Sequence, residues 1–159
     1  MIRLATVEDA KTIHKIMLSA FEEYRYAAIP SSALNETAGS IEEALRTGTE
    51  QALLYFHNGI PVGTVRFKAV DHSLHFFRLS VIPEARGRGI AKSMLAWLED
   101  YARALGMKDI WCRVRMSVPK NIELYRSIGY IMAKEEVVIN ANGHPVKTVV
   151  MTKAIQTLS

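Results

Sequence analysis

A glycine-rich segment in the middle of the chain follows an apolar stretch and leads into a helical pattern. The segment reads Arg86-Gly87-Arg88-Gly89 and continues as Ile90-Ala91-Lys92. The first backbone amides of a helix have no partner within the helix, and the helix dipole adds partial positive charge there. Glycines let a ligand approach the backbone closely, and the three cations Arg86, Arg88 and Lys92 add formal charge. The segment therefore predicts a pyrophosphate site.

Two widespread nucleotide-binding patterns do not fit this segment. A dinucleotide fingerprint needs Gly or Ala where Lys92 stands, and an acidic residue at a strand end about 20 residues further on. A phosphate-binding P-loop needs a Gly, then four residues of any type, and then Gly-Lys followed directly by Ser or Thr. Neither pattern is present in the sequence.

The segment does match a motif of another kind. Arg86-x-x-Gly89-x-Ala91, placed after a strand that ends in Val-x-Pro, resembles the acyl-CoA-binding motif of the GNAT superfamily of N-acetyltransferases. Further along, Asn121-x-x-x-Tyr125-x-x-x-Gly129-Tyr130 resembles the second hallmark of that family. Both motifs occur in the family's order, and the resemblance extends over essentially the whole chain.

The resemblance implies acetyl-CoA as co-substrate and a role for each matching position. The backbone amides of four residues would hold the pyrophosphate: Gly87, Gly89, Ile90 and Ala91. Arg86, Arg88 and Lys92 would face the CoA phosphates. The backbone of Leu79 and Val81 would pair with the pantetheine arm like an added strand. Asn121 would hydrogen-bond near the pantetheine, and Tyr125 would be the general acid that protonates the departing thiolate.

The general base is a second catalytic candidate. An amine with a pKa near 10.4 is unprotonated in only about one molecule in 10³ at pH 7, so a group must accept a proton before attack. Histone-acetylating members of the family carry a Glu for this purpose, and an ungapped alignment places His75 at its position. Imidazole titrates in the right range. A histidine on a strand is more often a hydrogen-bonded structural residue, so both interpretations stay open.

Other chemistries receive less support from the residues. Cys112 is a lone strand cysteine, which is usually a small core residue rather than an acyl-carrying nucleophile. The five histidines lack metal-ligand spacing, so no metal site is predicted. The basic residues form no run and no nucleic-acid-binding motif appears, so no nucleic-acid partner is expected.

The acceptor amine is expected to bind near residues 19–46 and the last hairpin. Residues 1–50 carry 5 Lys/Arg against 8 Asp/Glu, while the rest of the chain is basic. Acidic and aromatic side chains attract a cationic amine through charge and cation–π contact, and Glu22 and Tyr26 are the named candidates. A solvated charged surface is the alternative.

The elements that must position these residues follow from periodicity and turn signals. Asn58-Gly59 predicts a tight hairpin. Ser40-Ile41-Glu42-Glu43 predicts the start of a short helix, with Ser40 as the cap and Glu43 completing a capping box. Leu74–Ile82 predicts a central strand covered on both faces. The whole order is β-α-α-β-β-β-α-β-α-β-β, an α/β (α+β) mixed sheet with helices on both faces. The resemblance implies a mostly antiparallel sheet of about seven strands.

Length and composition set the frame. The chain has 159 residues, is 49% hydrophobic and carries a single Cys, which together predict one domain over residues 1–159 in a reducing compartment, the cytoplasm. No apolar run is long enough to span a membrane, and no signal peptide is recognisable. The sequence thus predicts an acetyl-CoA-dependent N-acetyltransferase; the alternative is a catalytically idle member of the family that binds acyl-CoA as a sensor or interaction module. A homodimer is compatible with either.

Overall fold

The computed structural model describes residues 1–27 and 31–156. Four α-helices and seven strands follow one another in the predicted order: β1 (Ile2–Leu4), α1 (Ala10–Phe21), α2 (Ala38–Thr47), β2 (Gln51–His57), β3 (Ile60–Val70), β4 (Ser73–Val81), α3 (Ile90–Ala104), β5 (Asp109–Arg115), α4 (Pro119–Ser127), β6 (Ile131–Ile139) and β7 (Pro145–Ala154). Short 3-10 turns lie at Val7–Asp9, Glu22–Tyr24, Ser32–Asn35 and Pro83–Ala85. The predicted element order is confirmed. Residues 28–30 of the predicted acceptor segment lie outside the described residues.

The strands are arranged in the order β1-β2-β3-β4-β5-β7-β6. Pairing is antiparallel between β1 and β2, β2 and β3, β5 and β7, and β6 and β7. The strand β4 pairs with β5 in parallel, over Ser73–His75 and Asp109–Trp111. This confirms the expected α/β fold with a mixed, mostly antiparallel sheet of seven strands. Within the described ranges, no helix combines the length and apolar character needed to cross a membrane.

The chain divides into two compact units. The first comprises Met1–Lys68 and Phe77–Leu98, and the second comprises Ala69–Phe76 and Glu99–Ser159. A core of the first unit joins α1 to α2 and β2 through Ile13, Met17, Ile41 and Leu54. That the whole chain folds as a single domain stays a prediction.

The second unit buries alternate residues of β5. Ile110, Cys112 and Val114 are buried, whereas their neighbours in sequence are partly or fully exposed, as expected for a strand with one inner face. The same unit contains a cluster of three packed aromatic rings: Phe76, Tyr125 and Tyr130. Lys153 of β7 donates to Glu99 and to the carbonyl of Ile128.

The start of α2 corrects one sequence expectation. Ser40 was expected as the capping residue, with Glu43 completing the box. The helix begins at Ala38, and Thr37 is the cap: its hydroxyl accepts from the Ser40 amide at 3.1 Å, while the Ser40 hydroxyl accepts from the Thr37 amide at 3.3 Å. A Thr–Ser pair therefore replaces the expected Ser–Glu pair, and Glu43 instead pairs with Arg46.

The expectation that β4 is covered on both faces is also wrong. Leu74, Phe76 and Ser80 are buried, whereas Phe77, Leu79 and Val81 remain partly exposed. The continuous run of apolar residues hides an ordinary alternation, because side chains of a strand point to opposite faces in turn. The partly exposed face includes Leu79 and Val81, the two residues expected to meet a ligand.

We expect Thr37→Ala to lower the free energy of unfolding by about 1 kcal/mol, because it removes the side chain that satisfies an open helix amide. Glu43→Ala is the control, since an exposed pair three residues apart contributes only a few tenths of a kcal/mol. Urea unfolding of both variants measures the difference. A larger loss for Glu43→Ala would show that the helix is capped at Ser40 instead.

Candidate active site

Both glycines of the loop adopt a backbone conformation that favours glycine. Gly87 and Gly89 have φ values of +80° and +74°, in the left-handed region that side chains rarely adopt. A Cβ atom at either position would meet nothing within 4 Å, so conformation rather than space demands glycine. The loop ends at Gly89 and α3 begins at Ile90. The Ser93 amide and hydroxyl both donate to the Gly89 carbonyl at 3.0 Å.

This geometry leaves the first turn of α3 open toward solvent. The amides of Ile90, Ala91 and Lys92 precede the first intrahelical hydrogen bond, and Gly87, Gly89 and Lys92 are exposed. Helix amides of this kind bind anions directly, and a lysine on the same turn adds charge. The start of α3 therefore has the open amides that the predicted pyrophosphate site requires, and anion binding at this position stays a prediction.

The two arginines of the loop have partners within the first unit. Arg86 donates to the Ala20 carbonyl at 3.0 Å and pairs with Glu23 at 3.3 Å, which ties the loop to the carboxyl end of α1. A cation is favoured at that end of a helix. Arg88 lies 2.9 Å from the ring Nε2 of His57. Arg86 thus has a fastening function that the motif alone did not reveal.

The strand that leads to the loop contains one residue in the left-handed conformation. Arg78 has a φ of +55°, which costs about 1–2 kcal/mol for a residue with a side chain. Its carbonyl accepts a hydrogen bond from the buried Ser80 hydroxyl at 2.9 Å. Beyond this kink the strand is held at its end, where the Ile82 amide donates to the Val62 carbonyl at 3.0 Å.

A charged cluster lies against the kink, and we call it the Glu36 cluster: Ser32, Glu36, Glu50, Arg66 and Arg78. The Glu36 carboxylate contacts Arg66 at 2.7 Å and Arg78 at 2.6 Å, and Arg66 also pairs with Glu50 at 3.1 Å. The Arg66 side chain is only 7% exposed. Because its members come from four separate parts of the chain, no local sequence pattern could have found this cluster.

In the second unit, Tyr125 is buried on α4. Its ring lies 5.7 Å from that of Phe76 and 5.8 Å from that of Tyr130, measured between centroids. The carbonyl of Tyr125 accepts from the amides of Ile128 and Tyr130, which closes the helix before Gly129 (φ +101°). Packing and helix closure therefore fix the tyrosine predicted as general acid. Asn121 lies one turn earlier and is partly exposed.

The ring of His75 stacks on Trp111. The two centroids are 3.8 Å apart and the planes differ by 8°, and the two residues are register partners of the parallel pair β4–β5. His75 is partly exposed. The stack fixes the plane of the imidazole, which suits a structural residue and equally a base with a set direction.

Two further buried groups of the second unit bear on the chemistry. Burial raises the pKa of the Cys112 thiol, so the thiolate needed for an acyl-carrying nucleophile is strongly disfavoured. The hydroxyl of Tyr130 is buried and has no hydrogen-bond partner among the described residues, and burial raises its pKa as well. Neither group is prepared for proton transfer or nucleophilic attack.

The candidate acceptor-binding residues carry less unpaired negative charge than expected. Glu22 forms an ion pair with Arg25 at 2.5 Å, and Tyr26 is 93% exposed. Seven of the eight acidic side chains in residues 1–50 lie within ion-pair distance of an arginine: Asp9, Glu22, Glu23, Glu36, Glu42, Glu43 and Glu50. Most of the negative charge counted in the sequence is therefore neutralised locally. Within the described ranges, no group of three or more His, Cys, Asp or Glu could hold a metal ion.

Comparison with known proteins identifies the class. The model of the acetyltransferase (GNAT) family matches residues 12–130, and the chain belongs to this family. A candidate acetyltransferase of Bacillus subtilis (strain 168) is 27% identical over 106 residues, 67% of each chain.

Solved structures show the same fold. A GCN5-related N-acetyltransferase from Rhodopseudomonas palustris has a TM-score of 0.79 at 23% identity, covering 97% of this chain and 94% of its own. The protein yncA from Salmonella typhimurium, solved with its cofactor acetyl-CoA, has a TM-score of 0.76 at 19% identity, covering 100% of this chain and 95% of its own. Both the expected family and the expected fold are confirmed.

We expect Gly89→Ala to lower the free energy of unfolding by about 1–2 kcal/mol, because alanine is strained at a positive φ. Gly39→Ala is the matched control: Gly39 lies in α2 without a positive φ, and its added Cβ would meet only the Thr37 hydroxyl oxygen at 3.9 Å. That control should be neutral or stabilising. Equal losses in thermal or urea unfolding would contradict the conformational argument.

Proposed function

We propose that the protein is an N-acetyltransferase that uses acetyl-CoA and transfers the acetyl group directly to an amine. The observation that carries this proposal is the pair of left-handed glycines, Gly87 and Gly89, which leave the amides at the start of α3 open for a pyrophosphate. Membership of the acetyltransferase family supports it. The acetyl-CoA complex of the yncA protein from Salmonella typhimurium supports the choice of donor.

The residues of the first unit would bind the donor. The amides of Gly87, Gly89, Ile90 and Ala91 would donate hydrogen bonds to the pyrophosphate oxygens. Lys92 and Arg88 would place positive charge near the phosphates. The backbone of Leu79 and Val81 would pair with the pantetheine arm like an added strand. An amide directed at the thioester carbonyl would stabilise the oxyanion, an effect worth about 10²–10³ in rate. By its match to the family motif, Asn121 would hydrogen-bond near the pantetheine.

The transfer then requires three proton movements. His75 would take a proton from the substrate ammonium, and the free amine nitrogen would attack the carbonyl carbon of the thioester. The tetrahedral intermediate collapses when the carbon–sulfur bond breaks, and Tyr125 would give its proton to the departing sulfur. The nitrogen loses its second proton, which restores the tyrosine. The products are an amide and CoA with a free thiol, so the chain needs no metal and no covalent intermediate for this route.

The acceptor is proposed to be an amine of a small molecule or peptide. That the acceptor is cationic stays a prediction based on residues 19–46, with Tyr26 as the aromatic candidate. Charge supports it less than the sequence suggested, because arginines neutralise most of the carboxylates in that part of the chain. A panel of polyamines, basic amines, amino acids and peptides, assayed by thiol release from acetyl-CoA, tests the class. A thermal shift with CoA is measured in parallel. Stabilisation by CoA without turnover across the panel would favour the idle binding module, and no stabilisation by any CoA ester would overturn both functions.

We expect Tyr125→Phe to lower kcat by about 10²–10⁴, because the departing thiolate loses its proton donor. Tyr130→Phe is the matched control, since both tyrosines are buried in one ring cluster and the Tyr130 hydroxyl has no hydrogen-bond partner among the described residues. The control should keep wild-type turnover. Wild-type kcat for Tyr125→Phe would remove this residue from the mechanism.

We expect His75→Phe to lower kcat/KM by about 10²-fold near neutral pH, because a phenyl ring can keep the stack on Trp111 but cannot accept a proton. The deficit should shrink as pH rises toward the pKa of the amine, since the free-amine fraction grows about tenfold per pH unit below it. A pH–rate profile of both proteins measures this. An unchanged rate and profile would leave His75 a purely structural role.

A further inference from the structure

Arg78 lies at the kink of β4, one residue before the strand edge proposed to pair with the pantetheine arm. We propose that Arg78 is a positioning residue for the acyl donor: through Glu36 and Ser32 it holds the kink that directs the backbone of Leu79 and Val81 toward the pantetheine. This inference rests on the proposed function. It assigns a role in donor binding to a charged cluster that the reaction itself does not use.

The kink needs an external hold because nothing in its own sequence favours it. A left-handed arginine inside a strand is strained, and such conformations persist where surrounding contacts determine them. Three hydrogen bonds do so here. The Ser80 hydroxyl satisfies the Arg78 carbonyl at 2.9 Å, and the Arg78 guanidinium donates to Glu36 at 2.6 Å and to Ser32 at 3.1 Å.

The anchor at the other end of this contact is itself fixed. The Glu36 carboxylate lies between Arg78 and Arg66, and Arg66 is buried with a second carboxylate, Glu50, at 3.1 Å. Two arginines and two glutamates make the cluster neutral, which favours its partial burial. The backbone of Glu36 is held as well, since its carbonyl lies 2.8 Å from Nε2 of His14.

The segment that carries the anchor is ordered by its own contacts. The hydroxyl of Ser31, a residue that is 5% exposed, accepts from the Ala33 amide at 3.2 Å and caps the turn Ser32–Asn35. The Arg78 side chain therefore connects a strained strand residue to a turn that has its own capping hydrogen bond. Loss of the side chain frees the strand to leave the left-handed conformation, and the amides on either side of it then turn away from their present directions.

Ligand titrations with two probes separate this role from general stability. Acetyl-CoA has the pantetheine arm, whereas ADP offers a diphosphate to the glycine loop without that arm. We expect Arg78→Ala to raise the Kd of acetyl-CoA about tenfold and to leave the Kd of ADP within about twofold of wild type. Glu36→Gln should act in the same direction, and the double variant should show less than the combined loss, because both residues act through one contact. Arg78→Lys keeps the charge and should lie between wild type and Arg78→Ala.

Arg103→Ala is the matched control. The Arg103 side chain is 23% exposed against 25% for Arg78, and it likewise has carboxylate partners, Asp100 at 2.8 Å and Glu99 at 3.8 Å. It should change neither Kd. Equal weakening of both probes by Arg78→Ala, or no weakening of acetyl-CoA binding by either Arg78→Ala or Arg78→Lys, would overturn the positioning role. Failure of the wild-type protein to bind either probe would instead overturn the proposed function, and this inference with it.

Discussion

The proposed donor site of the first unit depends on the open backbone amides at the start of α3. Hydrogen-bonding groups of the main chain are normally paired within secondary structure, and the first amides of a helix are the exception, which a side chain, water or a ligand satisfies. Here a left-handed glycine on each side of Arg88 turns the chain, and the Gly89 carbonyl starts the helix ladder. The arginine at the beginning of the loop then fastens it to the carboxyl end of α1. In the proposed function, donor recognition is mainly a property of the main chain.

The approach to that loop follows from the same principle. A strand that pairs on both edges offers no amide to a ligand, whereas a strand with a left-handed residue turns part of its backbone away from the regular ladder. Arg78 supplies that turn, and a neutral group of charged side chains with little exposure keeps it in place. Charges are costly to bury. Charge-assisted hydrogen bonds are directional, however, so the contact of Arg78 with Glu36 fixes the orientation of the kink better than an apolar contact would.

Local patterns predicted much of this protein, because the patterns are themselves physical causes. The Asn58-Gly59 hairpin, the glycine loop and the stop at Gly129 depend on backbone conformations that few residues adopt, and the sequence shows those residues directly. The order of elements followed from them. The Ser40 cap was wrong because Thr37, three residues earlier, completes an equivalent pair of hydrogen bonds. The Glu36 cluster, the fastening role of Arg86 and the stack of His75 on Trp111 join residues distant in sequence or on neighbouring strands, and no periodicity records such contacts.

The pairing of carboxylates with arginines in residues 1–50 has a consequence for how an acceptor arrives. Close ion pairs behave as dipoles, whose fields fade with distance far faster than that of a lone charge, and salt shortens the range of any residual field to about 10 Å at 0.1 M. Long-range attraction then adds little to the rate of encounter. For the proposed amine acceptor, selection then depends on the contacts made after binding, and ionic strength has little effect on which acceptor is chosen.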